Sequence, residues 1–310
     1  MASSNQRLLE KLRQLTPSEF ENFSFDLLLL KGMQNLSWRT PGPDGGRDLE
    51  GQFIVYDLSE SHRIEKWYVE CKRYTANVDW PTVFKKIAYA ENHLADYLLF
   101  VTTSLLTPQC KSEVLERERS KKVPFVRYWD ATILPKLIDR YPILSFKYGF
   151  ENEDALESES ILPLLRITSK TIQCAYGTAS VDKTMNKTLE LSAALVDLMS
   201  ARLSEKRIGR LSVAKRFVLD RDTYEWCEIE DGVSIIACDS YGLRALLSSI
   251  RFFSKSHSVR LKKCVDALFD INIHESQMSE QFRELLTQIS IWSNLEFFFA
   301  NSNLKINTRK

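Results

Sequence analysis

The sequence has no apolar run near the ~20 residues that a membrane-crossing helix needs, and its start, Met1-Ala2-Ser3-Ser4-Asn5-Gln6, has no apolar signal core. These absences argue against a membrane helix and predict a cytoplasmic protein. The six cysteines (Cys71, Cys110, Cys174, Cys227, Cys238 and Cys264) form no CxxC pair, and the four histidines (His62, His93, His257 and His274) are equally scattered. A zinc ribbon or a disulfide framework therefore has no support. Charge excess is missing too: the net charge is +1, with 21 basic against 19 acidic residues in 1–150 and 21 against 22 in the rest. Any nucleic-acid surface must then be a local patch, because global basicity does not supply one. There is no internal repeat and no low-complexity tract.

What is present is ordinary globular composition, 44% hydrophobic and 27% charged, which argues against wholesale disorder. A chain of 310 residues exceeds what one hydrophobic core usually organises, so two domains are expected. The stretch Glu151 to Ser160 is acidic and poor in large apolar side chains, which suits a solvated linker between residues 1–150 and 161–310.

In the first part, Thr16-Pro17-Ser18-Glu19 offers an N-cap, a proline at the first helical position and a glutamate at the third. A helix carrying Phe20, Phe23, Leu27 and Leu30 should follow, stopping near Lys31-Gly32, with a shorter helix over 5–14 before it. Pro41 to Asp48 is dense in Gly, Pro and Asp and forces a turn. Gln52–Tyr56 and Lys66–Lys72 read as strands, Pro81 opens a helix, and Tyr97–Thr102 reads as a buried strand. A helix from Thr107-Pro108, a strand over Phe125–Trp129 and a helix capped by Asp130 complete the part. The order is α-β-β-β-α-β, then α-β-α, an α/β class. Residues 161–310 read as mainly helical, over 186–204, 241–254, 259–270 and 277–299. A β-hairpin is expected where Tyr224–Glu230 and Val233–Asp239 flank Asp231-Gly232.

Strand alternation puts Trp67, Val69 and Cys71 on one face and Tyr68, Glu70 and Lys72 on the other. A carboxylate and an ammonium side by side on an inner strand are costly to bury unless paired or bound to something. Asp48, arriving from the glycine-rich turn, supplies a second carboxylate. Two neighbouring carboxylates repel and favour a hard divalent cation, most simply Mg²⁺, with Mn²⁺ as a substitute. Such an ion polarises a phosphodiester and acidifies a water, and an adjacent lysine orients that water or stabilises developing charge. Asp44 reads as a turn former and Cys71 as a core residue. The basic run Arg117 to Lys122 reads as a solvated helix end.

Pro43-Asp44-Gly45-Gly46-Arg47-Asp48, followed 22 residues after Asp48 by Glu70-Cys71-Lys72-Arg73-Tyr74, resembles the Mrr-like restriction endonucleases of the PD-(D/E)xK superfamily. Leu15 to Glu21, Leu98 to Ser104 and Thr107-Pro108 extend the resemblance across about residues 15–140. It implies a restriction-endonuclease-like core in which Asp48 and Glu70 bind the metal and Lys72 assists the attacking water. Glu21 would support the metal site, and Arg73 and Lys85 would touch phosphates. Many Mrr-like proteins have glutamine in place of Glu70, and the glutamate is the superfamily's general form. The activity implied is cleavage of DNA, double-stranded by expectation, in bacterial restriction or anti-phage defence. An inactive nucleic-acid-binding or scaffold protein, or a nuclease for RNA or branched DNA, is the alternative. Residues 161–310 contain no second catalytic pattern and are expected to regulate the nuclease, as a homo-oligomer or with a defence-system partner protein. The apolar surplus on the expected helix 277–299, through Ile291 and Phe297–Phe299, motivates that partner.

Overall fold

A computed structural model describes residues 4–38, 48–59, 61–150, 181–208, 227–229, 239–253, 259–264, 267–275, 278–300 and 303–309. The chain divides into two compact units, one reaching from the start to Ser160 and the other covering Ile161–Arg309. The turn 41–47, the acidic stretch 151–160 and the expected Asp231-Gly232 hairpin turn lie outside the described residues.

In the first unit α1 (Ser4–Gln14) precedes α2 (Pro17–Leu30). The expected capping box forms: Glu19 N–H donates to Thr16 Oγ1 at 3.2 Å, and Thr16 N–H donates to Glu19 Oε2 at 2.7 Å. After Lys31 the chain turns at Gly32, whose φ of +87° suits a residue without a Cβ. Five strands follow, β1 (Gln34–Trp38), β2 (Leu49–Tyr56), β3 (His62–Lys72), β4 (Tyr97–Thr102) and β5 (Phe125–Trp129). They form one sheet in chain order, antiparallel through β3 and parallel from β3 to β5. The parallel pairs need crossovers, supplied by α3 (Trp80–Asn92) and α4 (Pro108–Arg119). Both cover one sheet face, where Val83, Ile87, Cys110 and Val114 pack on Tyr68, Leu98, Phe100 and Val126. On the other face α1, α2, α5 (Leu134–Ile138) and α6 (Pro142–Tyr148) bury Leu12, Phe23 and Leu27 against Val69, Leu99 and Val101. The element order agrees with the order read from the sequence. β2 and β3 start earlier than expected, because residues 49–51 pair with 67–69 and residues 53–56 pair with 62–65.

The second unit holds α7 (Val181–Ile208), α8 (Ser240–Phe253) and α9 (Glu280–Trp292). It also holds a five-stranded sheet in the order β6-β7-β8-β10-β9, formed by β6 (Cys227–Ile229), β7 (Val259–Lys263), β8 (Phe269–Ile271), β9 (Leu295–Ala300) and β10 (Asn303–Thr308). Helices and hairpins are thus present, but two expected helices need correction. Within 259–270 the described residues include β7 and the start of β8 and no helix: Val259 and Leu261 are buried while Arg260 and Lys262 are exposed, a period of two. The helix over 277–299 ends at Trp292, and Phe297–Phe299 belong to β9 and pair with β10. Ile291 is buried, and Phe297 and Phe299 pack on the unit's own core, so the apolar surplus needs no partner. On α7, Leu191, Leu195, Leu198 and Met199 are buried, whereas Leu189 and Val196 are exposed.

Candidate active site

The β2–β3 hairpin sets the first two acidic residues against each other. Its register pairs Leu49 with Val69, so one step back Asp48 comes opposite Glu70. Asp48 N–H donates to Val69 O at 3.0 Å, and Asp48 Oδ2 accepts the Cys71 N–H at 2.7 Å. The carboxylate is thereby fixed by the neighbouring main chain rather than by a flexible side chain. Alternation along β3 sends Val69 and Cys71 into the α2 side of the core and Tyr68 to the α3 side. Glu70 shares the Tyr68 face and is fully buried.

Glu70 Oε1 lies 2.6 Å from Lys72 Nζ and 2.8 Å from Lys86 Nζ. Lys72 Nζ also lies 3.5 Å from Asp48 Oδ2, bridging the two carboxylates. Burial, and next the Asp48 charge, push the Glu70 carboxyl above its ordinary range, while the two ammoniums oppose that rise. Burial alone would lower the Lys72 pKa, but the Glu70 and Asp48 carboxylates beside it raise it, so the ammonium stays protonated. Burial pushes the Cys71 thiol well up, which makes it a packed core residue and no nucleophile.

The donor set fits a hard cation. Glu70 Oε2 is buried and has no hydrogen-bond partner among the described residues, an unusual condition for a carboxylate oxygen. Beside it stands the Asp48 carboxylate, side chain 20% exposed and so open on one side. Among the described residues no cluster of three or more His, Cys, Asp and Glu side chains forms. Two carboxylates suit Mg²⁺, which commonly keeps water and takes substrate phosphate oxygens for its remaining positions. Asp130, also buried, is otherwise engaged: Oδ1 accepts the Thr132 N–H at 3.0 Å and Oδ2 lies 3.1 Å from Lys111 Nζ.

The other sequence candidates are less central. Glu21 is half-buried on α2, close enough for its charge to be felt at Cys71. Arg73 is exposed and donates from Nη1 to Arg13 O at 2.8 Å. Lys85 is exposed on α3, while Lys86 turns inward to Glu70. Lys86 was missed by the sequence reading. Its signal was helical spacing: it follows Val83 by three positions and adjoins Ile87, both buried, which puts it on the inner edge of α3.

Residues 12–138 match a family described as Mrr_cat, restriction endonuclease. Among solved structures the chain is similar to the DNA modification-dependent restriction endonuclease AspBHI, with 23% identity and a TM-score of 0.38 over 45% of this chain and 36% of that one. It is also similar to the MspJI restriction endonuclease in complex with a 27-mer oligonucleotide, with 17% identity and a TM-score of 0.37 over 52% of this chain and 36% of that one. The chain thus spans about a third of the length of either. No curated protein matches. Residues 12–138 therefore match the restriction endonuclease domain of the Mrr type, the family that the motifs around Asp48, Glu70 and Lys72 resemble.

Proposed function

We propose that this protein is a divalent-metal-dependent DNA endonuclease that hydrolyses phosphodiester bonds of double-stranded DNA in the cytoplasm, as a restriction or anti-phage defence effector. The observation that carries this reading is the placement of Asp48, Glu70 and Lys72 at one point of the hairpin, with Lys72 Nζ within 3.5 Å of both carboxylates. That it lies inside the segment matched by a restriction endonuclease family supports DNA as substrate.

In this reading Asp48 and Glu70 hold a Mg²⁺ or Mn²⁺ ion, with Glu21 supporting the site from α2. When bound there, such an ion would supply Lewis acidity to the scissile phosphodiester and to a water. Lys72 orients that water and stabilises the charge that grows on the phosphoryl oxygens, a role for which a permanently protonated ammonium is suited. The water oxygen bonds to phosphorus as one P–O ester bond breaks, the attacking water gives up a proton to solvent, and the departing oxygen takes one from solvent. Burial of Glu70 keeps bulk water from competing for its charge. Arg73 and Lys85, both exposed, would meet backbone phosphates in this reading.

Residues 161–310 control assembly or activation in this proposal, through a second copy of the chain or a partner protein. Leu189 and Val196, seven residues apart and exposed on α7, support a helix face available for that role.

Supercoiled plasmid incubated with full-length protein and Mg²⁺ should be cut, and EDTA should stop the cutting. Glu70→Gln and Lys72→Met should each abolish it. Undiminished cutting by folded forms of both variants would refute the site. Cleavage confined to RNA or branched DNA would refute the substrate, and no cleavage of any nucleic acid would leave an inactive binding protein as the reading.

A further inference from the structure

Two ammonium groups on one buried carboxylate oxygen are more than an ion pair requires. Lys72 already pairs with Glu70 and bridges to Asp48. Lys86 approaches from a different element, α3, with 22% of its side chain exposed. Asp48 and Glu70 bring two negative charges and Lys72 and Lys86 two positive ones, a pairing that offsets part of the cost of burying Glu70 completely. A divalent ion on the two carboxylates upsets that balance, because it brings two more positive charges beside two ammoniums. That repulsion favours departure of the ammonium that is held less firmly. Lys72 stays between both carboxylates on their own hairpin. Lys86 has a four-carbon stem and a partly open position, and the exposed Lys85 beside it marks where solvent begins.

We propose that Lys86 is a placeholder cation, which neutralises Glu70 while the site lacks metal and swings to a backbone phosphate of the DNA once a divalent ion takes Glu70. This rests on the nuclease reading above and adds to it a positioning residue and a coupling between metal and DNA. The vacated charge is used twice, first to hold the metal-free site and then to hold substrate.

The consequence is a pair of opposite effects that a purely structural lysine would not produce. In full-length protein without DNA, Lys86→Met should bind Ca²⁺ or Mg²⁺ at least about tenfold more tightly by calorimetry, because the ion no longer displaces a neighbouring charge. With Ca²⁺ present, the same variant should bind a short duplex more weakly, and the slope of log affinity against log salt should fall by about one ion. Lys86→Arg should keep the wild-type salt slope. If Lys86→Met unfolds without cooperativity, Lys86→Gln carries the same two measurements. Unchanged metal affinity together with an unchanged salt slope overturns the proposal and leaves Lys86 as a structural partner of Glu70. If the wild type cuts DNA through Asp48, Glu70 and Lys72 while the Lys86 variants show no such changes, this inference fails alone. If the wild type neither binds nor cuts a duplex, the nuclease reading fails, and the metal titration still decides the placeholder role.

Discussion

Replacing Asp48 by asparagine and by alanine separates what its charge does from what its oxygen does. Asp48 Oδ2 accepts the Cys71 N–H at 2.7 Å and lies 3.5 Å from Lys72 Nζ, with the two side chains 20% and 30% exposed. Asparagine keeps an acceptor for that N–H and loses only the charge. The half-open ion pair with Lys72 is worth less than about 1 kcal/mol, and removing the carboxylate also relieves its repulsion of Glu70. Asp48→Asn should therefore stay within about 1 kcal/mol of wild-type stability. Alanine leaves the Cys71 N–H, next to a fully packed core, without its partner, which costs about 1–3 kcal/mol. For a unit of this size that lowers Tm by roughly 2–4 °C per kcal/mol. Both variants should lose plasmid cleavage by at least about a thousandfold, since the lost metal assistance is worth several kcal/mol and each 1.4 is about tenfold. Thermal unfolding and initial cleavage rates at saturating Mg²⁺ check the pair. A folded Asp48→Asn enzyme with more than a tenth of wild-type activity would show that this is the wrong carboxylate. Equal stability of the two variants would show that the Cys71 hydrogen bond holds nothing.

Acid pH should weaken metal binding. Glu70 is pushed above its ordinary 4.5 by burial and by Asp48, so its folded form holds a proton more tightly than the unfolded chain. That adds stability to the metal-free protein as pH falls and removes it as pH rises through the window above 4.5. Metal needs the ionised form, so Mg²⁺ affinity by calorimetry should drop on acidification through the same window, and Glu70→Gln should erase that step. At Gly51, a Cβ would meet Met33 Sδ at 2.5 Å and Cγ at 2.7 Å. Gly51→Ala should cost about 1–3 kcal/mol in urea unfolding, and an unchanged midpoint would mean that Met33 moves freely aside. Asp44→Ala should be milder than Asp48→Ala in turnover, and a dead Asp44 variant beside an active Asp48 variant would reverse the assignment. Light scattering on the full chain and on residues 1–154 should show that the oligomeric state depends on the second unit. A monomeric full-length protein that binds no partner would remove that role.

Much of the first unit was legible in the sequence because its signals are local. The capping box at Thr16 and Glu19, the prolines at helix starts and the alternation around Glu70 each depend on residues a few positions apart. Asp48 and Glu70 were also readable together, since a hairpin joins them and one turn sets their register. In the second unit, short apolar runs obeyed both periods: Leu261, Val265 and Leu268 recur at helical spacing while Val259 and Leu261 alternate as on a strand, and pairing with β6 and β8 decided it. Phe297–Phe299 looked like a helix continuing past Trp292 until β10 provided a partner for their main chain. The site itself shows the same division. Residue types and spacing indicated a charged pair on β3, but not that Glu70 would be fully buried, nor that its second cation would come from α3. Which of Lys85 and Lys86 reaches Glu70 depends on how α3 rotates over the sheet. That rotation is set by Val83, Ile87 and Ala90 packing with Tyr68, Leu98, Phe100 and Val126 on three paired strands, a surface that only tertiary structure creates.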